Sequence, residues 1–217
     1  MSSTLSKLVL GAMGALRPAP AKGQAQPRLS LPEPQRSGGA SLLEALAARR
    51  SQRAYRDAAL TPDQLGQLLW AANGINRPDG GHTAPSALNA QEIEIYVALP
   101  AGAYRYDAAA HALELVADGD LRRVTGYQDF VDTAALDLVY VAEHGRLSMV
   151  PAAQRSAFAH VAAGAIAQNV YLYAASAGLA TVLRAWIDRE AIARALGLHP
   201  GQEVLLSQTL GHPQPGA

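Results

Sequence analysis

From Ser156 to Leu183 the chain has no Asp, Glu, Lys or Arg. A helix of that length can cross a bilayer, so the segment must either span a membrane or be enclosed by protein. Alanine and glycine dominate it, and His160, Gln168, Asn169 and Ser176 would each need a hydrogen-bonding partner in lipid. The reading is therefore a helix buried in protein, with no transmembrane span in the mature chain. A helix apolar on most sides and lined with small residues lets backbones approach closely, so it can cross its own copy at a dimer seam.

Helices and strands can be placed around this segment. Ser41 precedes Leu42, Leu43, Leu46 and Ala47, with Glu44 three residues on, a capping box opening a helix that runs to about Arg50. Thr61 and Pro62 start a second helix with Leu65, Leu68, Leu69 and Ala72 on one face, ending near Gly74. Asn76 to Thr83 is a loop. Apolar Ile93, Ile95 and Val97 alternate through a strand from Glu92 to Leu99; Tyr104–Tyr106 and Ala112–Val116 are two more. Leu136 to Ala142 is apolar almost throughout and predicts a central strand covered on both faces, and Val204 to Leu210 a last strand.

The first forty residues differ in kind. Lys7 leads an uncharged run from Leu8 to Leu16, followed by small residues at Ala19, Ala21, Gly23 and Ala25, the pattern of a secretory signal. Residues 1–25 are thus read as a signal peptide and residues 26–40, rich in Pro, Ser and Gly, as a linker or an arm lying on a partner. Residues 41–217 form one folded domain, which suits a chain of 217 residues that is 49% hydrophobic. The expected location is periplasmic or otherwise exported, with the cytoplasm as the alternative.

Composition removes several function classes. Lys plus Arg number 18 and Asp plus Glu 18, so no global field draws the protein to nucleic acid. Without cysteine there is no disulfide, thiolate metal site or cysteine nucleophile. The six histidines, His82, His111, His144, His160, His199 and His212, show no metal-ligand spacing.

Three segments carry more polar chemistry than structure needs. Arg49-Arg50-Ser51-Gln52-Arg53 sets three guanidinium groups and a hydroxyl at the end of the first Leu/Ala helix. Guanidinium forks match phosphate oxygens, although a solvated basic helix end would look the same. Thr83 to Gln91 offers Ser86, Asn89 and Gln91, donors and acceptors suited to a heteroaromatic edge or to a capped turn. Gly178 to Trp186 leaves the uncharged helix through a glycine stop, with small residues that let backbone N–H groups approach a flat ligand. Arg184 there meets an anion or ends the buried run at solvent.

Together these segments resemble the FMN-dependent nitroreductase family, and more closely its branch related to the dehydrogenase component of azole-forming peptide synthetases. The likeness runs from about Ser41 to His212. It lies in Arg49 to Arg53, in Leu68-Leu69-Trp70-Ala71-Ala72-Asn73-Gly74-Ile75, in Ala84-Pro85-Ser86 through Asn89 and Gln91, in Gln168-Asn169 followed by Gly178-Leu179, and in Leu210-Gly211-His212-Pro213.

The resemblance implies an α+β fold, a nitroreductase-like mixed sheet with surrounding helices. It implies a homodimer with a central buried helix and FMN in two equivalent clefts at the interface. Carried over by position, Arg49, Arg50, Ser51 and Arg53 would hold the flavin phosphate and ribityl chain. Pro85, Ser86 and Asn89 would meet the flavin held by the other subunit, and Leu183, Arg184 and Ala185 would set backbone groups beside the reactive ring nitrogen. The cofactor performs the hard step, so no catalytic side chain and no metal ligand is assigned. The chain departs from the pattern in ending at Gln214-Pro215-Gly216-Ala217 without a basic tail, which implies weaker flavin binding or a compensating charge from Arg184. Ala180 and Ala185 also stand where relatives more often carry glycine or a larger residue.

The activity implied is ping-pong: NADH or NADPH as electron donor, then a small-molecule acceptor such as a nitroaromatic or quinone. The alternatives are an FMN-dependent dehydrogenase acting on a peptide-borne or small substrate, and a degenerate flavin-binding subunit without catalysis.

Overall fold

The computed structural model describes residues 3–216; Met1 and Ser2, which open the expected signal segment, and Ala217, which closes the expected domain, lie outside the described residues. Its helices are α1 (Thr4–Ala12), α2 (Leu42–Ala48), α3 (Pro62–Asn73), α4 (Ala152–Ser176) and α5 (Arg189–Leu196). Its strands are β1 (Arg28–Ser30), β2 (Ile93–Leu99), β3 (Gly102–Asp107), β4 (Ala112–Asp118), β5 (Leu136–Glu143), β6 (Ala180–Arg184) and β7 (Gln202–Gly211), in the spatial order β1-β4-β3-β2-β5-β7-β6.

Capping chemistry starts α2 and α3 where the sequence places them. The Ser41 hydroxyl accepts from the Glu44 amide at 3.3 Å while Glu44 accepts from the Ser41 amide at 2.8 Å. Thr61 and Gln64 repeat the exchange ahead of Pro62. At the far end of α4, Gly178 takes φ +66°, and the Leu179 amide turns back to the Ala174 carbonyl at 2.8 Å. No helix among the described residues is long and apolar enough to cross a membrane.

The α+β class and the nitroreductase-like arrangement hold, but the sheet is not mixed: every pairing among the described residues is antiparallel. The reason lies in β7, which inserts between β5 and β6 and runs against both. These two strands are therefore parallel to each other without being neighbours, and the 25-residue α4 is the crossover that joins them.

Strand β5 is buried on both faces, as its composition predicts. Leu136, Leu138, Tyr140 and Ala142 join Ile93, Ile95 and Val97 in a core closed by α3 and α4. On the opposite face Val139 and Val141 join Tyr96, Val204, and Ile192 and Leu196 of α5.

The N-terminal forty residues make contacts with the rest of the chain that the sequence did not show. Leu16 is a member of the second core, and Lys7, read as the basic lead of a signal, has no exposed side chain. Its ammonium donates to Asp132 at 2.8 Å and to the Gln128 carbonyl at 3.1 Å, which is what lets a lysine be enclosed. Ala19 and Asp120 exchange backbone hydrogen bonds at 3.0 and 2.9 Å. The stretch read as a linker or partner-bound arm lies on its own sheet: β1 pairs with β4, and Leu29 and Leu31 pack on the main core. A composition too polar to order itself is ordered here because β4 offers a free edge and His111 accepts and caps the chain at Leu31 and Pro32.

In the chain that retains residues 3–16, replacing Leu16 by Ala is expected to cost about 2–4 kcal/mol, the loss for a core leucine, read as a lower denaturant midpoint. A detached leader would show no change.

Candidate functional site

The end of α2 is stitched to the outer edge of β6. The Gln52 amide donates to the Thr181 carbonyl at 3.0 Å, and the Tyr55 hydroxyl fixes the Gln52 carbonyl at 2.7 Å. Arg49, the C-cap of α2, is half-buried, with its guanidinium 5.3 Å from the ring centre of Tyr171 on α4. Ser51 Oγ lies 2.8 Å from the Tyr171 hydroxyl, while Arg50, Ser51 and Arg53 are exposed. Among the described residues, none of Arg49, Arg50 and Arg53 has a carboxylate partner.

The three positions after the glycine stop divide by role. The Leu183 amide is already engaged by the Tyr171 hydroxyl at 2.9 Å. Ala185 lies just beyond β6, exposed, and its amide has no hydrogen-bond partner among the described residues. The Arg184 side chain points inward, neither to solvent nor to an external anion: its guanidinium meets Asp137 at 2.7 Å, the Thr125 carbonyl at 2.8 Å and the Thr125 hydroxyl at 3.2 Å. Asp137 is wholly buried and also accepts from Thr209. Burial pushes the Asp137 carboxyl up, against the downward pull of Arg184. Gly126 makes room for the pair, since a Cβ there would stand 1.6 Å from Arg184 Nη1. The Arg184 guanidinium is thus not available to an external phosphate, and only its backbone remains at the site.

The loop carrying Pro85, Ser86 and Asn89 joins α3 to β2. Leu88, Asn89 and Gln91 take φ of +56°, +52° and +49°, a left-handed run of side-chain-bearing residues that costs about 1 kcal/mol or more per position. Hydrogen bonds hold it: Ser86 Oγ accepts from the Gln91 amide and donates to the buried Glu92, each at 2.7 Å, and Arg146 donates to the Gln91 carbonyl at 2.8 Å. Asn89 and Pro85 are exposed. No hydrogen bond, ion pair or ring contact among the described residues joins this loop to the arginine segment of the same chain. His82 beside it is half-buried; burial first, then Arg77 and Arg146, hold its imidazole below the ordinary value of 6.5, so it is neutral at pH 7.

Residues 46–212, most of the chain, match the family model described as the nitroreductase family. The chain belongs to the nitroreductase family. A nitroreductase-type protein of Methanocaldococcus jannaschii is 32% identical over 160 residues, covering 69% of this chain and 81% of that one. A crystallised nitroreductase-type protein of Ralstonia eutropha is 49% identical, with a TM-score of 0.88 over 92% of this chain and 95% of its own. The fold is shared more distantly with the Escherichia coli microcin synthetase complex, at 20% identity and a TM-score of 0.67, covering 84% of this chain and 77% of that one. It is also shared with the NADPH:FMN oxidoreductase of Vibrio harveyi, at 24% identity and a TM-score of 0.59 over 80% and 69%. As a member of its family the chain is an oxidoreductase.

In this nitroreductase chain, then, the fold brings Arg49 to Arg53 together with Leu183 to Ala185 and leaves Pro85 to Asn89 apart. Sequence reasoning missed Tyr171, the group that joins the first two. Its signal was there, a hydroxyl-bearing ring within an uncharged alanine-rich helix, but nothing in the spacing shows which way it points.

Asp137→Ala would strand the Arg184 guanidinium in the core. The expected loss is about 3–5 kcal/mol of stability, measured by denaturant unfolding. A loss below about 1 kcal/mol would show the pair to be dispensable.

Proposed function

We propose that the protein is an FMN-dependent oxidoreductase, active as a homodimer, that takes reducing equivalents from NADH or NADPH and passes them in ping-pong order to a small electron-poor acceptor such as a nitroaromatic or quinone. The observation that carries this reading is the set of guanidinium side chains at Arg49, Arg50 and Arg53, in one segment with the Ser51 hydroxyl and with no salt-bridge partner among the described residues. Cations placed together without carboxylates, and with a hydroxyl between them, are the donor set a phosphate monoester requires. These residues fit the phosphate end of FMN. Bound FMN would supply the hydride chemistry, so no side chain need act as a nucleophile.

The amide of Ala185, an exposed residue, would be the donor to the flavin ring, in preference to that of Leu183, which Tyr171 already holds. Asn89 and Pro85 would approach the same ligand from the second copy, since the loop that holds them does not reach the arginines of its own chain. Two clefts of a single protomer lie elsewhere. One of about 510 Å³ is lined by His82, Gln91, Glu94 and Arg146, and another of about 550 Å³ by Arg36, Trp70, Asn169 and Tyr173. Neither includes an arginine of the 49–53 segment, which fits a pocket completed by dimerisation.

Exposed apolar side chains support the dimer. Leu42, Leu43 and Leu46 on α2 and Phe158 and Val161 on α4 face outward, with Leu43 78% and Val161 76% exposed. Both helices thus carry apolar side chains without a partner in the single chain, as a surface covered by a second copy would. Export is a separate proposal resting on the leader-like sequence before Ala25; intact mass of the protein from its own cells tests it, with loss of that leader expected and a retained leader opposing it.

Purified protein is expected to be yellow with FMN absorbance and to bleach anaerobically with NADH or NADPH; colourless protein that resists reconstitution would overturn the flavin reading. A yellow protein that neither donor bleaches would favour the dehydrogenase alternative. Arg49→Ala and Arg53→Ala should each remove about 1.5–3 kcal/mol of FMN affinity, measured by fluorescence titration. Val161→Glu on the exposed face of α4 should convert the dimer to a folded monomer in sedimentation, with FMN lost at the same time.

A further inference from the structure

Tyr171 is buried on α4 to 9% exposure, and its hydroxyl has two partners from different parts of the chain. The Leu183 amide, which can only donate, gives it a hydrogen at 2.9 Å. Ser51 Oγ lies at 2.8 Å and is the only other group in hydrogen-bonding contact with it among the described residues. Proton bookkeeping then fixes the direction of that second bond. If Ser51 donated, the phenolic proton would be left without an acceptor in a largely enclosed position, which costs more than the bond returns. The phenol therefore donates to Ser51. With the phenolic proton on its oxygen, Ser51 must aim its own proton elsewhere, and at an exposed position with no further protein partner among the described residues that direction is outward. The Arg49 guanidinium over the Tyr171 ring strengthens the polarisation and holds the arginine at the same place.

We propose that Tyr171 is a positioning residue that, through the chain Leu183 N–H to Tyr171 O–H to Ser51 O–H, leaves the Ser51 proton free to donate and so strengthens the hold on a ligand bearing a phosphate monoester relative to its unphosphorylated counterpart. This rests on the flavin reading above and adds to the arginines a donor of fixed direction. Guanidinium groups attract any anion. A hydroxyl whose proton is aimed by a buried phenol adds a hydrogen bond to an acceptor oxygen at one position.

The test compares FMN with riboflavin on purified apoprotein, by fluorescence quenching, for the native chain, Tyr171→Phe, Ser51→Ala and the double variant. Tyr171→Phe should weaken FMN binding by about tenfold and riboflavin binding by less than about twofold. Ser51→Ala, at an exposed position that does not threaten folding, should do the same, and the double variant should lose no more than either single one, as members of one hydrogen-bonded chain do. Apoprotein melting temperatures accompany each measurement. Equal losses for FMN and riboflavin would mean that Tyr171 only supports the fold, and additive losses would mean that it does not act through Ser51; either overturns the proposal. If the native chain binds neither flavin, the flavin reading itself fails, a result distinct from both.

Discussion

Strand β5 runs through the middle of the sheet with β2 on one side and β7 on the other, and its side chains are buried above and below. Each valine or leucine so enclosed contributes about 1.5–3 kcal/mol, and none of it is realised unless both faces are covered. One cover is easily found, since α3 and α4 follow directly from the helical sequence pattern. The other is α5, joined by Leu16 and its neighbours. Two-sided burial thus explains why the chain before α2 is part of the fold, although the family match begins only at residue 46.

The same constraint shapes the candidate site. Asp137 stands in β5 and Arg184 at the end of β6, with Thr209 of β7 between them, so one buried ion pair ties three strands together. Such a pair adds little net stability, but neither partner can leave without stranding the other. That fixes where β6 ends and where the backbone at Ala185 emerges. Tyr171 and Gln52 then lock the arginine segment to the same edge. The surface groups that would meet a ligand are held by contacts reaching into the core, which is how a rigid site is made from an exposed helix end.

Much of this was legible in the sequence because it depends on local chemistry. The capping boxes at Ser41 and Thr61, the glycine at 178 and the alternation of Ile93, Ile95 and Val97 each carry their meaning within a few residues. The strand at Ala180–Arg184 was not legible, because an edge strand of five residues following a long apolar helix shows no change in pattern. Arg184 was left between an anion and solvent for a related reason: a charge ending an apolar run looks the same whether it reaches solvent or a carboxylate supplied by a residue far away in the chain, here Asp137. The packing of Lys7 and Leu16 in the uncleaved chain was the least legible. A basic residue ahead of an apolar run is a leader by its own composition, and only Asp132 and the uncovered face of the sheet give it another use. The antiparallel sheet, too, depends on β7 inserting between two earlier strands, a choice made by tertiary packing rather than by any segment of its own.

The seating of Lys7 has an implication for the order of assembly. Its carboxylate partner lies 125 residues downstream, and the surface that receives Leu16 includes Ile192, Leu196 and Val204. During synthesis these groups leave the ribosome long after the segment that needs them. The part of the polypeptide made first is accordingly the part that docks last, waiting as an exposed apolar stretch until translation has nearly finished.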